Sequence, residues 1–399
     1  MRPELLAPAG SPEKLRIALA YGADAVYCAG PAFGLRTASK NFTEEELAAG
    51  IACAHGKGAK VYVTVNVYPR DDELPGIAGW LRRLRDMGAD AAIVSDPGVM
   101  RMAADIGLPF HVSTQANTVN AAACLQWHEM GASRVVLARE LTIPQLARIR
   151  ERAPQGLELE VFVHGAMCVS YSGRCLLSNY LTARDANAGD CAQPCRWRYA
   201  LCEESRPGEF FPIEEDDRGS YILNSRDLCL IRRLPELEAA GVSSFKIEGR
   251  VKSEFYLAAV TGAYRRAIDG GYEEALYDEV CAVSHRSYFE GFAAGMPARG
   301  DKGWQGQLHG EGTYRYTTEF VAHVRDWAHG RALCNMRNRV RTGDVLEALT
   351  PDGVYPLPVT AMWDENGAPL EDAKTPDMRF YIACEHPLPP DSMLRRRLG

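Results

Sequence analysis

Residues 88–94 read Gly88-Ala-Asp-Ala-Ala-Ile-Val94, a phrase that recurs along the first two-thirds of the chain. Each copy has Gly-Ala or Gly-Val, a polar stretch of one or two residues, and a short apolar run. Glycine ends a helix in the left-handed conformation that other residues resist, and the apolar run is typical of a buried parallel strand. The phrase therefore predicts helices that alternate with parallel strands. The other copies are Gly22-Ala-Asp-Ala-Val-Tyr27, Gly131-Ala-Ser-Arg-Val-Val-Leu137 and Gly241-Val-Ser-Ser-Phe-Lys-Ile247.

Four further apolar runs bring the number of predicted strands to eight. Helical patterns lie between most of them, as from Ser11 to Ala20, where Ser11 is a suitable N-cap and Pro12 takes the first helical position. Eight strand–helix units in roughly 260 residues predict a TIM-type (β/α)8 barrel, with a doubly wound open sheet as the alternative. The four runs are Leu5 to Pro8, Val61 to Val67, Phe110 to Thr114 and Leu159 to Val163.

The last part of the chain has a different pattern. Short alternating runs are separated by turns such as Pro351-Asp-Gly353 and Glu365-Asn-Gly367, which predicts a small antiparallel β-barrel. We therefore predict a barrel domain with trailing helices over residues 1–292, a glycine-rich linker over 293–312 and a small β-barrel over 313–399. The runs are Phe320 to Val324, Ala332 to Met336, Val345 to Leu349, Leu357 to Met362 and Phe380 to Cys384.

Composition limits the possible classes of protein. With 46% hydrophobic and 24% charged residues, the chain is typical of a globular protein with a substantial core. The formal net charge of -7 argues against a uniformly basic nucleic-acid binder, so RNA would have to contact a local patch. No secretory leader and no apolar run of membrane-spanning length is visible, so we expect a cytoplasmic protein without membrane contact.

Cysteines concentrate in one part of the chain. There are twelve in 399 residues, and Cys168, Cys175, Cys191, Cys195 and Cys229 lie within one short region. A long chain without a leader is a poor candidate for a disulfide framework. The spacing lacks the paired Cys-x-x-Cys of zinc ribbons, whereas thiolates gathered from loops suit an iron–sulfur cluster. Zinc, or simple burial of small apolar thiols, are the alternatives.

The run from Glu160 to Ser178, Glu-Val-Phe-Val-His-Gly-Ala-Met-Cys-Val-Ser-Tyr-Ser-Gly-Arg-Cys-Leu-Leu-Ser, resembles the signature of peptidase family U32. The resemblance implies an oxygen-independent hydroxylase that carries a [4Fe-4S] cluster and acts on tRNA, ribosomal RNA or a ubiquinone precursor. It matches the cluster ligands to Cys168, Cys175, Cys191 and Cys229, with Cys195 as an alternative ligand. It continues through Gly189-Asp-Cys191-Ala-Gln-Pro-Cys195-Arg-Trp197, Asn224-Ser-Arg-Asp-Leu-Cys229, Lys246-Ile-Glu248-Gly-Arg250-Val-Lys252 and Ser284-His-Arg-Ser-Tyr288.

Polar side chains follow several of the predicted strands. Active sites of TIM-type barrels lie at the carboxyl ends of the strands, where this chain has Gln115 and His164 with the cysteines just beyond. We predict that His164 or Gln115 donates or accepts a proton during catalysis. A Cys168/His164 dyad would be the peptidase alternative, but a thiolate that holds iron cannot also act as a nucleophile.

Charged residues follow the last predicted barrel strand. On the last predicted strand, Lys246, Glu248 and Arg250 should share one face, because residues two apart in a strand point the same way. The resemblance implies prephenate, a small dicarboxylic acid, as cosubstrate, and we predict that Lys246, Arg250 and Arg139 bind its carboxylates. Glu248 would hold the cations in place. The alternative is a structural ion network that closes the barrel.

Arginines also cluster in the C-terminal part. Arg337 and Arg339 are predicted to contact tRNA phosphates, because arginine pairs bidentately with phosphate and small β-barrels often bind oligonucleotides. An ordinary charged strand surface is the alternative.

The residues and the resemblance together favour an iron–sulfur RNA hydroxylase that forms 5-hydroxyuridine in tRNA with prephenate. A hydroxylase subunit for ubiquinone or another small aromatic, a 23S rRNA hydroxylase and a non-enzymatic redox-sensing RNA-binding protein are the other hypotheses. The redox partner, the oxygen donor and the nucleoside position stay open.

Overall fold

The computed structural model describes most of the chain, in two compact units. The barrel unit contains Met1–Leu19, Ala23–Val251 and Arg286–Tyr314, and the C-terminal unit contains Ala20–Gly22, Lys252–His285 and Arg315–Gly399. The predicted linker over 293–312 lies, apart from residues 293–295, outside the described residues. The described residues are 2–34, 41–168, 170–186, 190–196, 201–202, 210–211, 215–216, 219–220, 225–295 and 314–398.

Eight parallel strands form a closed barrel in the barrel unit, as the sequence predicts. Each strand pairs with the next in chain order, and the eighth pairs with both the seventh and the first. The strands are β1 (Glu4–Pro8), β2 (Ala25–Cys28), β3 (Lys60–Val65), β4 (Ala91–Val94), β5 (Phe110–Val112), β6 (Arg134–Val136), β7 (Glu158–Ala166) and β13 (Ser244–Ile247).

Helices alternate with these strands. The glycines of the recurring phrase, Gly22, Gly88, Gly131 and Gly241, all have φ between 80° and 100°, so each ends its helix in the left-handed region, as predicted. None of the described helices is long and apolar enough to span a membrane. The helices are α1 (Pro12–Ala20), α2 (Glu44–His55), α3 (Leu74–Asp86), α4 (Pro97–Ile106), α5 (Ala121–Glu129), α6 (Ile143–Arg152), α7 (Leu177–Thr182) and α8 (Leu234–Ala239).

The segment of the chain between β7 and β13 contains several short strands. Strand β8 (Leu201–Cys202) pairs antiparallel with β9 (Phe210–Phe211), and β10 (Glu215–Asp216) with β11 (Gly219–Ser220). Strand β12 (Asp227–Cys229) runs antiparallel to β7 and also pairs with β14 (Tyr288–Phe289). Strands β12 and β14 extend the barrel sheet where β7 projects beyond its barrel neighbours, whereas β8–β9 and β10–β11 form separate two-stranded sheets.

An ion network fills the amino-terminal half of the barrel. Glu160 is fully buried, and its carboxylate accepts hydrogen bonds from Arg134 Nη1 at 3.0 Å and from Lys246 Nζ at 2.8 Å. Arg134 Nη2 donates to Glu4 Oε2 at 3.2 Å, and its Nε donates to Glu158 Oε2 at 2.7 Å. The charges come from β1, β6, β7 and β13, so the network joins the strands on both sides of β7.

The C-terminal unit contains two helices and an antiparallel sheet. The sheet has seven strands, in the order β19 (Gly353–Pro358), β18 (Val345–Thr350), β23 (Met393–Arg397), β15 (Thr318–Ala328), β16 (Arg331–Met336), β22 (Arg379–Ala383) and β20 (Met362–Asp364). Outside this sheet, β17 (Val340–Arg341) pairs with β21 (Asp372–Ala373). The predicted antiparallel domain is confirmed. Among the described residues, the edge strands β19 and β20 do not pair with each other, so the sheet is open rather than the closed barrel that the sequence predicts. The two helices, which the sequence places with the first domain, belong to this unit. The helices are α9 (Glu254–Gly270) and α10 (Glu274–Cys281).

A buried arginine joins α10 to this sheet. Arg395 on β23 is 2% exposed, and its Nη2 donates to Glu279 Oε2 at 2.9 Å while its Nε donates to Glu347 Oε2 at 2.8 Å. Glu279 is itself only 6% exposed. A buried charge is stable only with its partner in place, so this ion pair fixes α10 on the sheet.

Arg395→Met should destabilise the C-terminal unit by about 3 to 5 kcal/mol, because it leaves the Glu279 carboxylate buried without its cation. The free energy of unfolding in urea checks this. The matched control is Arg397→Met, which also loses a bond to Glu347 but from a side chain that is 68% exposed. That change should cost under about 1 kcal/mol. Equal effects of the two substitutions would contradict the expectation.

The stability of the barrel unit should depend on pH through His111. Burial lowers the pKa of this imidazole well below its usual value, and the charges of Arg134, Lys246 and Lys60 lower it further. The folded state therefore keeps His111 neutral, while the unfolded state takes up a proton below about pH 6.5. Stability present above that pH is lost as the pH falls.

Between pH 7.5 and 5.5, His111 should account for a loss of roughly 1.4 kcal/mol in the free energy of unfolding. His111→Phe should remove this part of the pH dependence, since phenylalanine does not titrate. Urea unfolding of both proteins at the two pH values checks this. Identical pH dependence of the two would show that His111 is not the responsible group.

Candidate functional site

His164 lies at the carboxyl end of β7, between two other strands. It is 1% exposed and stands opposite Cys229 on β12 and Ile247 on β13. Its carbonyl oxygen accepts a hydrogen bond from the backbone N–H of Glu248 at 2.8 Å. The residue predicted for proton transfer is therefore held in a fixed backbone frame beside one predicted cluster ligand.

Gly165 permits this close approach. Its φ is 111°, and a Cβ at this position would lie 2.6 Å from the carbonyl oxygen of Glu248. Any side chain would therefore push the chain after β13 away from β7. The glycine is required by the juxtaposition of Glu248 and His164.

Two side-chain contacts support the site from β12 and β14. The Tyr288 hydroxyl lies 3.2 Å from His164 Nε2 and their ring centroids are 5.1 Å apart. Nearby, Arg286 donates from Nε at 3.0 Å and from Nη2 at 2.7 Å to Asp227 Oδ1, and both side chains are nearly inaccessible to solvent. One residue separates Asp227 from Cys229, and one separates Arg286 from Tyr288, so the ion pair fixes both elements. The sequence motifs contained these residues without indicating their roles.

Residues 167–196, here called the cysteine loop, are attached to the ends of other barrel strands. Arg139 Nη1 donates to the Ala166 carbonyl at 3.0 Å, and its Nη2 donates to Ser172 Oγ at 3.2 Å. Asn117 Nδ2 donates to the Ser172 carbonyl at 2.6 Å. Arg139, predicted to bind a carboxylate, thus makes contacts that anchor the loop.

Gln115 takes part in the same attachment. Its carbonyl oxygen accepts hydrogen bonds from Tyr68 Oη at 2.5 Å and Asn117 Nδ2 at 3.1 Å. A Cβ at Gly173 would lie 2.9 Å from that oxygen. The backbone of Gln115 is therefore in the interface with the loop, and the proton-transfer role of its side chain stays a prediction.

The predicted cluster ligands lie on neighbouring elements. Cys168 follows β7, and Cys229 is on β12, which pairs with β7. The Ala192 N–H donates to Ser178 Oγ at 3.0 Å, which holds the segment of Cys191 and Cys195 against α7. Cys168 and Cys191 are exposed, Cys229 is buried, and none of the five is in a disulfide.

The donor set fits an iron–sulfur cluster by its chemistry, since free thiols are the ligands that such clusters use. The side chains as placed do not form a closed ligand shell: within the part of the chain that the structure describes, no three His, Cys, Asp or Glu side chains are grouped as a metal ion would require. The assignment of Cys168, Cys175, Cys191 and Cys229, with Cys195 as the alternative, stays a prediction.

The charged residues Lys246, Glu248 and Arg250 do not share one face of a strand. The register shifts between Lys246 and Ile247, and β13 ends at Ile247 before Glu248 and Arg250 are reached. Lys246 Nζ binds Glu160, so Lys246 belongs to the interior ion network that the sequence offered as the alternative. The expected single-face arrangement is wrong because the strand is shorter than the alternation assumes.

Arg250 lies at the carboxyl end of the barrel. It is 6% exposed, and its Nη1 donates to Thr64 Oγ1 at 3.2 Å. Thr64 Oγ1 in turn donates to the Cys28 carbonyl at 3.1 Å. Burial raises the pKa of the Cys28 thiol to about 12, although the Arg250 charge acts in the opposite direction. Cys28 is therefore a neutral thiol at physiological pH.

The two C-terminal arginines predicted to contact RNA are paired with carboxylates. Arg337 binds Asp377, and Arg339 Nε donates to Asp372 Oδ1 at 2.8 Å. A phosphate would have to compete with these acids for the same guanidinium groups. Binding of RNA by Arg337 and Arg339 stays a prediction.

Comparison with known proteins identifies the family. The family model described as peptidase family U32 matches residues 10–303, and that of the U32 C-terminal domain matches residues 316–395. The chain belongs to peptidase family U32. Both matched regions carry the elements described above, the barrel with its cysteine loop and the antiparallel sheet.

Members of the U32 family with different names are similar to this chain. It is 35% identical to tRNA hydroxylation protein P1 of Bacillus subtilis (strain 168) over 99% of this chain and 95% of that protein. It is 36% identical to tRNA hydroxylation protein P of Escherichia coli (strain K12), over 88% of this chain and 87% of that protein. It is 34% identical to a collagenase of Porphyromonas gingivalis, over 78% of this chain and 76% of that protein.

His164 and Tyr288 should act as one unit in catalysis. We expect His164→Gln and Tyr288→Phe each to lower the rate of product formation about tenfold, since each removes the hydrogen bond between them. The double variant should be little slower than the slower single variant, because the shared contact can be lost only once. Single-turnover rates of the three variants check this.

The control for these single and double variants is Tyr272→Phe. It removes a different tyrosine hydroxyl, one that is bonded to Glu274 in the C-terminal unit. It should leave the rate unchanged. Fully multiplicative effects of His164→Gln and Tyr288→Phe would mean that the two residues act independently.

Proposed function

We propose that this protein hydroxylates tRNA, forming 5-hydroxyuridine, with prephenate as cosubstrate and a [4Fe-4S] cluster as cofactor. The observation that carries the proposal is the similarity to two proteins named for tRNA hydroxylation, which extends over both the barrel and the C-terminal sheet. The alternative suggested by the collagenase, peptide hydrolysis, draws on similarity over a smaller share of the chain.

Hydroxylation of a base requires electron transfer, which supports a redox centre at the carboxyl end of the barrel. Replacing the C5–H bond of uridine by a C5–OH bond removes two electrons and the C5 proton from the base, so the reaction needs an oxygen donor and a two-electron acceptor besides the uridine. A four-iron cluster, when bound by Cys168, Cys175, Cys191 and Cys229, would supply electron transfer. Cys229 stands opposite His164 in the β7–β12 pair, so the thiols and a proton-accepting group share one end of the barrel.

The chain's own residues provide positioning and proton transfer. His164 Nε2, within hydrogen-bonding distance of Tyr288, is the group that takes up or delivers a proton. Arg250 is a cation at the carboxyl end of the barrel, and it would bind a carboxylate of prephenate. Lys246 is instead paired with Glu160 in the interior. Glu248 is held beside His164 through its backbone N–H.

The experiment uses anaerobically purified full-length protein with unmodified tRNA, with and without prephenate. We expect mass spectrometry of the digested tRNA to detect 5-hydroxyuridine only with prephenate. Alanine substitution of Cys168, Cys175, Cys191 or Cys229 should abolish both bound iron and product, because each thiolate completes the iron coordination. Cys195→Ala should largely spare both.

Cys281→Ala serves as the matched control, since Cys281 is a free, partly exposed cysteine on α10 outside the set. It should keep iron and activity. Product formation by iron-free protein would contradict the cofactor proposal, and release of peptides from denatured collagen, with no change in tRNA, would favour the peptidase alternative.

A further inference from the structure

Large apolar side chains are exposed on the cysteine loop and α7. Tyr180 is 82% exposed, Leu176 and Leu181 are each 50% exposed, and Tyr171 is 46% exposed. A soluble protein normally covers such a group of side chains with a partner. We call these four residues, together with Arg174, the tyrosine surface.

The charge of this stretch differs from that of the whole chain. From Cys168 to Arg184 there is no acidic residue, although the chain carries a formal net charge of -7. Arg174 is exposed and forms no side-chain hydrogen bond or ion pair among the described residues. Arg184 is paired with Asp190 at 2.6 Å. Arg174 is thus a cation that is available to an external anion.

The tyrosine surface has a fixed position relative to the barrel. Ser172 is held by Asn117 and Arg139, which follow β5 and β6, and Gly173 packs on the Gln115 carbonyl and the Tyr68 ring. These anchors all come from the carboxyl ends of barrel strands, where the proposed reaction takes place. A ligand on the tyrosine surface would therefore lie next to that reaction site.

We propose that the tyrosine surface binds a single-stranded RNA loop, with bases stacked on Tyr171 and Tyr180 and a backbone phosphate on Arg174. This inference rests on the proposed function, and names the form of RNA that the same site accepts. Exposed aromatic rings beside an exposed arginine are the chemistry that recognises unstacked bases, because every base offers a face for stacking. A duplex keeps its bases stacked inside and offers no such face.

The test measures RNA binding without requiring the reaction. Full-length protein is titrated into fluorescent full-length tRNA, an RNA hairpin with a uridine-containing loop, and a blunt RNA duplex of equal length. Tyr180→Ala should weaken binding to tRNA and hairpin about tenfold or more, because one stacked base is lost, while Tyr180→Phe should keep near wild-type affinity. Duplex binding should be weak and unaffected by either substitution.

Two further variants separate stacking from charge and from general apolar contact. Arg174→Gln should lower the slope of log affinity against log salt by about 0.7, the value for one phosphate contact on a single strand. Leu181→Ala should weaken hairpin binding, whereas Leu125→Ala should not, since Leu125 is similarly exposed, at 46%, but lies on α5.

Several outcomes would overturn the inference. Hairpin affinity that is unchanged in Tyr180→Ala and Arg174→Gln, in a protein that still hydroxylates tRNA, would refute the tyrosine surface and leave the proposed function standing. Absence of RNA binding and of hydroxylation in the wild type would refute both. If sedimentation shows a wild-type dimer that Tyr180→Ala dissociates, with hairpin affinity unchanged, the surface contacts a second copy of the chain instead.

Discussion

The carboxylate of Glu160 is the contact on which the barrel depends most. It has no exposure to solvent, and it is bonded at once to Arg134 from one neighbouring strand and Lys246 from the other. A buried carboxylate is tolerated only when its charge is compensated, so β6, β7 and β13 must keep the register that delivers both cations. Glu4 extends the same constraint to β1, where burial acts to raise its pKa but Arg134 lowers it overall. The ionic network thereby specifies closure of the barrel.

The ion network also neutralises one of the charged side chains that the sequence suggested for substrate binding. Lys246 Nζ lies 4.6 Å from the ring centroid of Tyr27 and 5.3 Å from that of Phe162, and its charge is neutralised by Glu160. The amino-terminal half of a TIM-type barrel generally serves stability, and the carboxyl end carries the site. Lys246 belongs to the first group and Arg250, bonded to Thr64, to the second. Two residues of one sequence motif thus have different functions because a strand ends between them.

The sequence predicted the barrel well because its signals are local. Glycine after each helix and an apolar run after each glycine are short-range features, and the structure has both. Contacts between distant residues could not be predicted in the same way. Nothing near Tyr288 indicates that it meets His164, and nothing near Asp227 indicates Arg286 as its partner. The sequence did not predict that β13 ends at Ile247, because charged and uncharged residues continue to alternate after the backbone has left the sheet.

The pairing of arginines with carboxylates distinguishes the two surfaces where RNA could bind. Arginines are numerous in the C-terminal sheet, but Arg337, Arg339 and Arg395 are each bonded to a carboxylate. A phosphate gains little from a guanidinium that must first leave an acid, since the two ion pairs are of similar strength. On the cysteine loop the cations are fewer, but Arg174 has no competing acid among the described residues and lies in sequence between two exposed tyrosines. The number of arginines is therefore a poorer guide to an RNA site than the carboxylates that lie beside them, and by that criterion Arg174 is a stronger candidate than Arg337 and Arg339.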